Sequence, residues 1–197
     1  MLRIQYGLGD KKIKRIIGFL VFVLLSLHNV LASDLPSTSV YQFESLWMDQ
    51  NRLPIELVDL AGRPQLVAFV YTYCEHTCPL IISRIKKLLA SLPDGLKSRV
   101  DVTLITLDPH RDTPEQMRNY MEINNLPHTQ WTMLTGSADD IRILSNLFGV
   151  KYKAMSRDEL AHSNMITLLD SLGVIQSQLK GLNENNNDLL KNIVEMF

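Results

Sequence analysis

The sequence predicts an α/β fold: a central, mostly parallel sheet flanked by helices and closed by a late β-hairpin. Two observations carry this. First, apolar β-branched stretches alternate with stretches whose apolar residues recur at helical spacing, and a helix fed between two strands of one sheet implies a crossover. Second, the last two strand-like runs are separated only by Ser171-Leu172-Gly173, a turn-sized gap.

The elements follow in order. Pro54–Leu60 (PIELVDL) reads as a strand, closed by a turn at Ala61-Gly62-Arg63-Pro64. Leu66–Tyr73 (LVAFVYTY) is apolar almost throughout, as a central buried strand would be. Pro79 suits the first turn of a helix. Ile81, Ile85, Leu88 and Leu92 then mark its core face, with Arg84, Lys86 and Lys87 expected in water. Pro93-Asp94-Gly95 ends it in a turn. Val100–Leu107 is a second central strand. Thr113 can cap the next helix, Pro114 suits its first position and Gln116 can reach back. Trp131–Leu134 is a short strand. Ser137, with Asp140 three residues on, starts a helix that runs to Leu147 and stops at Gly149. Asn164–Asp170 and Val174–Leu179 form the hairpin, and Asn183–Phe197 a terminal helix with Leu189, Leu190, Ile193 and Val194 as its apolar face. This order suits a thioredoxin-like sheet, with chemistry at the carboxyl ends of its parallel strands.

The N-terminus reads differently. Lys11-Lys12-Ile13-Lys14-Arg15 precedes the apolar run Ile16–Leu27 and the small-residue end Val30-Leu31-Ala32. That is the layout of a secretory signal peptide. The run is short for a membrane span, which needs roughly 20 residues, although flanking residues extend it enough for an uncleaved anchor. Residues 1–33 are thus expected to be a signal peptide or N-terminal membrane anchor, and residues 34–197 the folded domain, with Asp34–Ser39 as linker. Either outcome exports the domain, to the periplasm or the periplasmic face of the inner membrane, where thiols tend to oxidise. The membrane is met only through that segment. Arg3, Lys11, Lys12, Lys14 and Arg15 stand there against Asp10, so the rest of the chain is acidic within a total of −1. An acidic body gives no electrostatic reason to expect nucleic acid. At 46% apolar and 21% charged, the chain holds enough apolar material for a core without staples.

The two cysteines, Cys74 and Cys78, are therefore free for chemistry. They lie in YTYCEHTCP, between a strand end and a helix start. Unpaired N–H groups at a helix N-terminus favour the thiolate, which is both the nucleophile of disulfide exchange and a soft metal ligand. Three residues separate the pair, against the two of most dithiol oxidoreductases. The spacing still allows a disulfide, which needs Cα atoms within about 7 Å, and it leaves room to splay around an ion. A metal site needs a further ligand, and His76, His110, His128 and His162 are the candidates.

YTYCEHTCPL, TLITLDPHRDTPEQMRNYM, WTMLTGSADDIRILSNLFGVKY and HSNMITLLDSLGVI resemble successive blocks of the Sco/SenC family, from about Val40 to Lys180. The motif set is a C-x-x-x-C-P, a D-P-x-R-D-T-P after the next strand, and a late His before a strand–turn–strand. The resemblance implies a thioredoxin-like, copper-binding domain whose metal ligands are Cys74, Cys78 and His162. It implies a copper chaperone that delivers copper to, or prepares the cysteines of, the binuclear centre of cytochrome c oxidase. Its partners would be oxidase subunit II or another copper client, a copper donor protein and a thiol–disulfide reductant. Two thiolates and an imidazole suit copper(I), and an added oxygen or nitrogen ligand would suit copper(II). Asp108, ending the neighbouring strand, is a candidate to orient a ligand; the bland alternative makes Asp108-Pro109 a turn starter beside an Arg111–Asp112 ion pair. Ala161 stands where the family often has an acidic residue, and His76 is not a family feature; as a fourth ligand it would tilt the site toward a tetrahedral ion such as zinc. The alternative function is an exported thiol–disulfide reductase using Cys74 and Cys78 as a redox-active catalytic pair, for which His162 would be dispensable. A copper-responsive redox sensor is a third reading.

Overall fold

The computed structural model describes residues 35–155, 160–181 and 184–197. The expected signal peptide or anchor lies outside them, and residues Pro36–Phe197 form one compact unit. No helix among the described residues is long and apolar enough to cross a membrane.

The chain order is β1 (Leu46–Asp49), β2 (Pro54–Glu56), β3 (Gln65–Val70), α1 (Cys78–Ser91), a single turn α2 (Asp94–Lys97), β4 (Asp101–Thr106), α3 (Pro114–Ile123), β5 (Trp131–Thr135), α4 (Ala138–Leu147), β6 (Tyr152–Ala154), β7 (Leu160–His162), β8 (Met165–Leu169), β9 (Ile175–Lys180) and α5 (Asn187–Glu195). Seven strands form one sheet in the order β2-β1-β5-β4-β3-β8-β9. β3, β4 and β5 are mutually parallel, as helical crossovers require, while β1, β2, β8 and β9 join through antiparallel pairs. β6 and β7 pair only with each other, as a separate ribbon.

Every residue of β3 and of β8 is buried, because both faces of the sheet are covered. Leu66, Ala68 and Val70 of β3 pack with Ile81, Ile85 and Leu88 of α1, Met117 and Met121 of α3, and Leu189 and Ile193 of α5. Val67 and Phe69 alternate to the other face, as the strand period demands, where Phe69 meets Phe148 edge-on at 5.5 Å. The hairpin turn closes at Gly173, whose φ of +79° only glycine adopts freely; a Cβ there would also strike the Tyr41 ring.

Several segments depart from the sequence expectation. Pro54–Leu60 is a strand only as far as Glu56. Glu56 and Asp59 then cap each other, and Leu57–Leu60 turns as a 3₁₀ helix that buries Leu57. β1 and the β6–β7 ribbon lie in stretches too short and mixed for a periodicity argument. Part of the expected linker is docked: Ser39 bridges Val174, and its hydroxyl donates to Leu172 O at 2.5 Å. Arg84 is buried rather than solvated, because α5 and the loop before it fold across α1. Its guanidinium donates to Gly181 O at 2.6 Å, to Asn186 Oδ1 and to Glu184 O.

The α1–sheet contact makes a measurable prediction. Ile85 is fully buried and Leu80, on the opposite side of the same helix, is 53% exposed. Ile85→Ala should lower the unfolding free energy by about 2–5 kcal/mol, whereas Leu80→Ala should change it by no more than about 0.5 kcal/mol. Urea unfolding of the two variants measures both.

Candidate metal centre

The register of the sheet brings the distant residues together. β8 runs antiparallel to β3 with Ala68 opposite Ile166. Continuing that register beyond the ladder sets residue 164 opposite 70 and residue 162 opposite 72. The segment before β8 is thereby delivered to the carboxyl edge of β3, where the cysteine loop begins.

Three donor groups meet there. Cys74, Cys78 and His162 offer their Sγ, Sγ and ring nitrogen within 4.8 Å of one another. Cys78 Sγ stands 3.6 Å from His162 Nε2 across 84 residues of sequence. His162 Nδ1 lies 3.2 Å from Ser163 O, a carbonyl acceptor; the tautomer that carries its proton on Nδ1 leaves the Nε2 lone pair free to face an ion at the sulfurs. Both cysteines are buried and unpaired to each other as thiols. The site opens to a cleft of about 730 Å³ lined by Tyr71, Tyr73, Thr77, Arg111, Leu160 and His162 among others.

Cys78 is the first residue of α1, and its backbone N–H donates to Cys74 Sγ at 3.3 Å. Thr77 Oγ1 lies 3.4 Å from the same sulfur. Cys74 is therefore held well below the ordinary thiol range. The Cys78 thiol is the largest cause, burial opposes it, and His162, Thr77 and the Cys78 N–H add to the lowering. Cys78 moves the other way, through its hydrogen bond to the Cys74 sulfur and then through burial. The shared hydrogen bond thus favours the thiolate at Cys74 over the thiolate at Cys78.

The donor set fits a soft ion. Metal–sulfur bonds of about 2.3 Å place two sulfurs about 4.0 Å apart at a trigonal centre and about 4.6 Å apart at a linear one. Donor atoms that all lie within 4.8 Å of one another are compatible with either geometry.

The other candidates fall outside the cluster. His76 is exposed and lines the cleft mouth, and His110 and His128 are exposed. Asp108 is engaged by Arg111, whose guanidinium also sits 4.9 Å over the Tyr73 ring; the ion pair joins Arg111 to Asp108, where sequence reasoning weighed Asp112. The carboxylate behind the cysteine loop belongs to Asp112. It is fully buried and accepts from Thr72 N at 3.2 Å, from Thr72 Oγ1 at 2.5 Å and from Thr106 Oγ1. Burial pushes its carboxyl up, against the hydrogen bonds from Thr106 and Thr72. The second residue missed by sequence reasoning is Tyr71. Its ring meets the His162 ring edge-on at 5.9 Å, and its hydroxyl reaches Leu160. Both residues sit inside the quoted motifs, but only the fold reveals which side chains turn inward.

Comparison with known proteins gives a family and a set of similar structures. The SCO1/SenC family model matches residues 36–197. A SCO2-like protein of Rickettsia prowazekii is 28% identical over 173 residues, covering 78% of each chain. Among solved structures, Bradyrhizobium japonicum ScoI with copper bound matches with a TM-score of 0.65 and 25% identity, over 78% of this chain and 97% of that one. BsSco, described through a disulfide switch and as a member of the Sco family of cytochrome c oxidase assembly proteins, matches with a TM-score of 0.64 and 21% identity, over 77% and 90%. The thioredoxin-like α/β fold is shared with these structures. The chain spans 66% of a Stutzerimonas stutzeri relative and 62–63% of three further Rickettsia ones.

Asp112 makes the testable claim here. Asp112→Ala strands buried donors on Thr72 and Thr106, so it should cost about 2–4 kcal/mol of stability. Asp108→Ala, which loses the ion pair with Arg111, should cost less. Denaturant titration orders the two; a silent Asp112→Ala would remove it from the support of the cysteine loop.

Proposed function

Because the chain belongs to the SCO1/SenC family, we propose that it binds copper through Cys74, Cys78 and His162 and serves cytochrome c oxidase assembly. In this reading copper is cargo. It is delivered to the binuclear centre of oxidase subunit II, or the dithiol prepares that centre's cysteines. The observation that carries the reading is the convergence of two sulfurs and one imidazole nitrogen within 4.8 Å. Two soft sulfurs with one imidazole match copper(I), which accepts low coordination numbers. The copper-bound state of the B. japonicum ScoI structure supports the choice of metal, and the description of BsSco supports oxidase assembly as the setting.

The redox chemistry of the pair is linked to this role. Closing a Cys74–Cys78 disulfide removes two electrons and whichever protons the two sulfurs still carry, and takes both sulfurs out of the donor set. A thiol reductant must therefore act before copper(I) enters. The second reading, an exported thiol–disulfide reductase, draws on the lowered Cys74 thiol at the helix start. It assigns His162 no task. The N-terminal segment fits export, which would place the domain in the periplasm or on the periplasmic face of the inner membrane.

Copper(I) titration of the reduced protein beside Cys74→Ala, Cys78→Ala and His162→Ala separates the readings. One copper per chain is expected. Each cysteine variant should lose most binding, and His162→Ala should weaken it at least about tenfold while changing the rate of disulfide exchange by less than about threefold. Equal losses in binding and exchange, or none in either, contradict the chaperone reading.

A further inference from the structure

The cysteines and the histidine ride on separate pieces of structure. Cys74 and Cys78 belong to the β3–α1 limb. His162 ends β7, and the β6–β7 ribbon is not part of the main sheet. Within the ribbon Tyr152 pairs with His162 and Ala154 with Leu160. Just outside it, Ser163 and Lys151 bond each other through backbone and hydroxyl. Two of the hydrogen-bonding groups that tie β6 and β7 to the body bear on the direction of His162. One is the Cys78 sulfur at His162. The other is the Tyr71 hydroxyl, which donates to Leu160 O and accepts from Leu160 N, both at 3.3 Å.

Tyr71 thus does for the ribbon what a further strand would do, satisfying both backbone groups of one residue. The satisfied residue is two positions before His162. Residues two apart in a strand face the same way, so holding Leu160 sets the direction of the His162 side chain. The Tyr71 ring completes the restraint by packing edge-on against the imidazole at 5.9 Å. Tyr71 is also bound to the cysteine limb: it directly follows β3, it is 4% exposed, and its carbonyl accepts from Cys74 N at 3.2 Å. A single buried side chain therefore spans both limbs of the donor set.

We infer that Tyr71 is a positioning residue for the metal: a latch whose hydroxyl keeps His162 within bonding reach of the dithiol and so sets how tightly, and for how long, copper(I) is kept. The inference rests on the copper reading above. When the hydroxyl lets go, the ribbon is released and the dithiol alone holds the ion, a more weakly bound state suited to handover. Tyr71 takes up no electron in the disulfide reaction; its hydroxyl also borders the Cys74 sulfur, and the latch is the part of its effect that runs through His162.

The test is a double-mutant cycle with copper(I) as the probe, competed against a chelator of known affinity. Tyr71→Phe keeps the ring and deletes the hydroxyl, so the core stays filled. It should weaken copper(I) binding about tenfold, the worth of one or two net hydrogen bonds, and speed copper loss to the chelator by a similar factor. In the His162→Ala background the same change should be silent, within about twofold, because the group it positions is gone. The dithiol–disulfide equilibrium of Tyr71→Phe, measured against glutathione, should match the wild type. Equal weakening by Tyr71→Phe in both backgrounds would overturn the latch, since the effect would then run through the cysteines or the fold. So would a Tyr71→Phe affinity within about twofold of wild type while His162→Ala binds weakly. If His162→Ala itself binds copper as the wild type does, the copper-ligand reading fails and the latch falls with it.

Discussion

The antiparallel pairing of β3 with β8 is the constraint on which the site depends. β3 carries the chain up to the cysteine loop, and β8 leads away from His162. Because the two strands run in opposite directions, the end of one and the start of the other share an edge. No local sequence signal joins residues 84 positions apart; the ladder between them does. That ladder is secure because both strands are wholly buried, and a one-residue slip would turn their apolar side chains to the wrong faces. The core and the cluster of donor side chains are in this sense one structural fact.

The polar groups around the edge divide the remaining work. Asp112 holds Thr72 at the start of the cysteine loop, and Arg84 ties α1, which begins with Cys78, to the segment before α5. Each is a charged group taken out of water, which is tolerable only because its hydrogen bonds are made. Each therefore fixes geometry at the cost of intolerance to substitution. Cys74 receives the helix N-terminal N–H of Cys78, so the sulfur nearer the cleft is the one poised as thiolate. Nucleophilic and metal-binding chemistry would both draw on that same feature.

Much of this was legible in the chain itself. The all-buried β3, the amphipathic α1, the Thr113 and Ser137 caps and the hairpin at Gly173 follow from local propensity and period, and each forms, although β3 ends at Val70 where the reading carried it to Tyr73. The cysteine loop was legible because Pro79 and the apolar spacing mark a helix start. Other features were not. Arg84 reads as a solvated residue until α5 folds over it. The ribbon's strands are three residues each, below what alternation can reveal. Asp108 and Asp112 are indistinguishable in DPHRD, since which carboxylate points inward is set by Thr72 and Thr106 on neighbouring segments. Tyr71 reads as one more strand aromatic, because its hydroxyl partner lies 89 residues away. What escaped the sequence is long-range polar contact, which leaves no periodic trace.

The central claim is that two sulfurs and one imidazole nitrogen hold the ion together. X-ray absorption at the copper edge of the reduced, copper-loaded protein tests it directly. The account predicts two sulfur neighbours and one nitrogen neighbour at about 2.0–2.3 Å. A shell of oxygen and nitrogen alone, or of sulfur with no nitrogen, would contradict it.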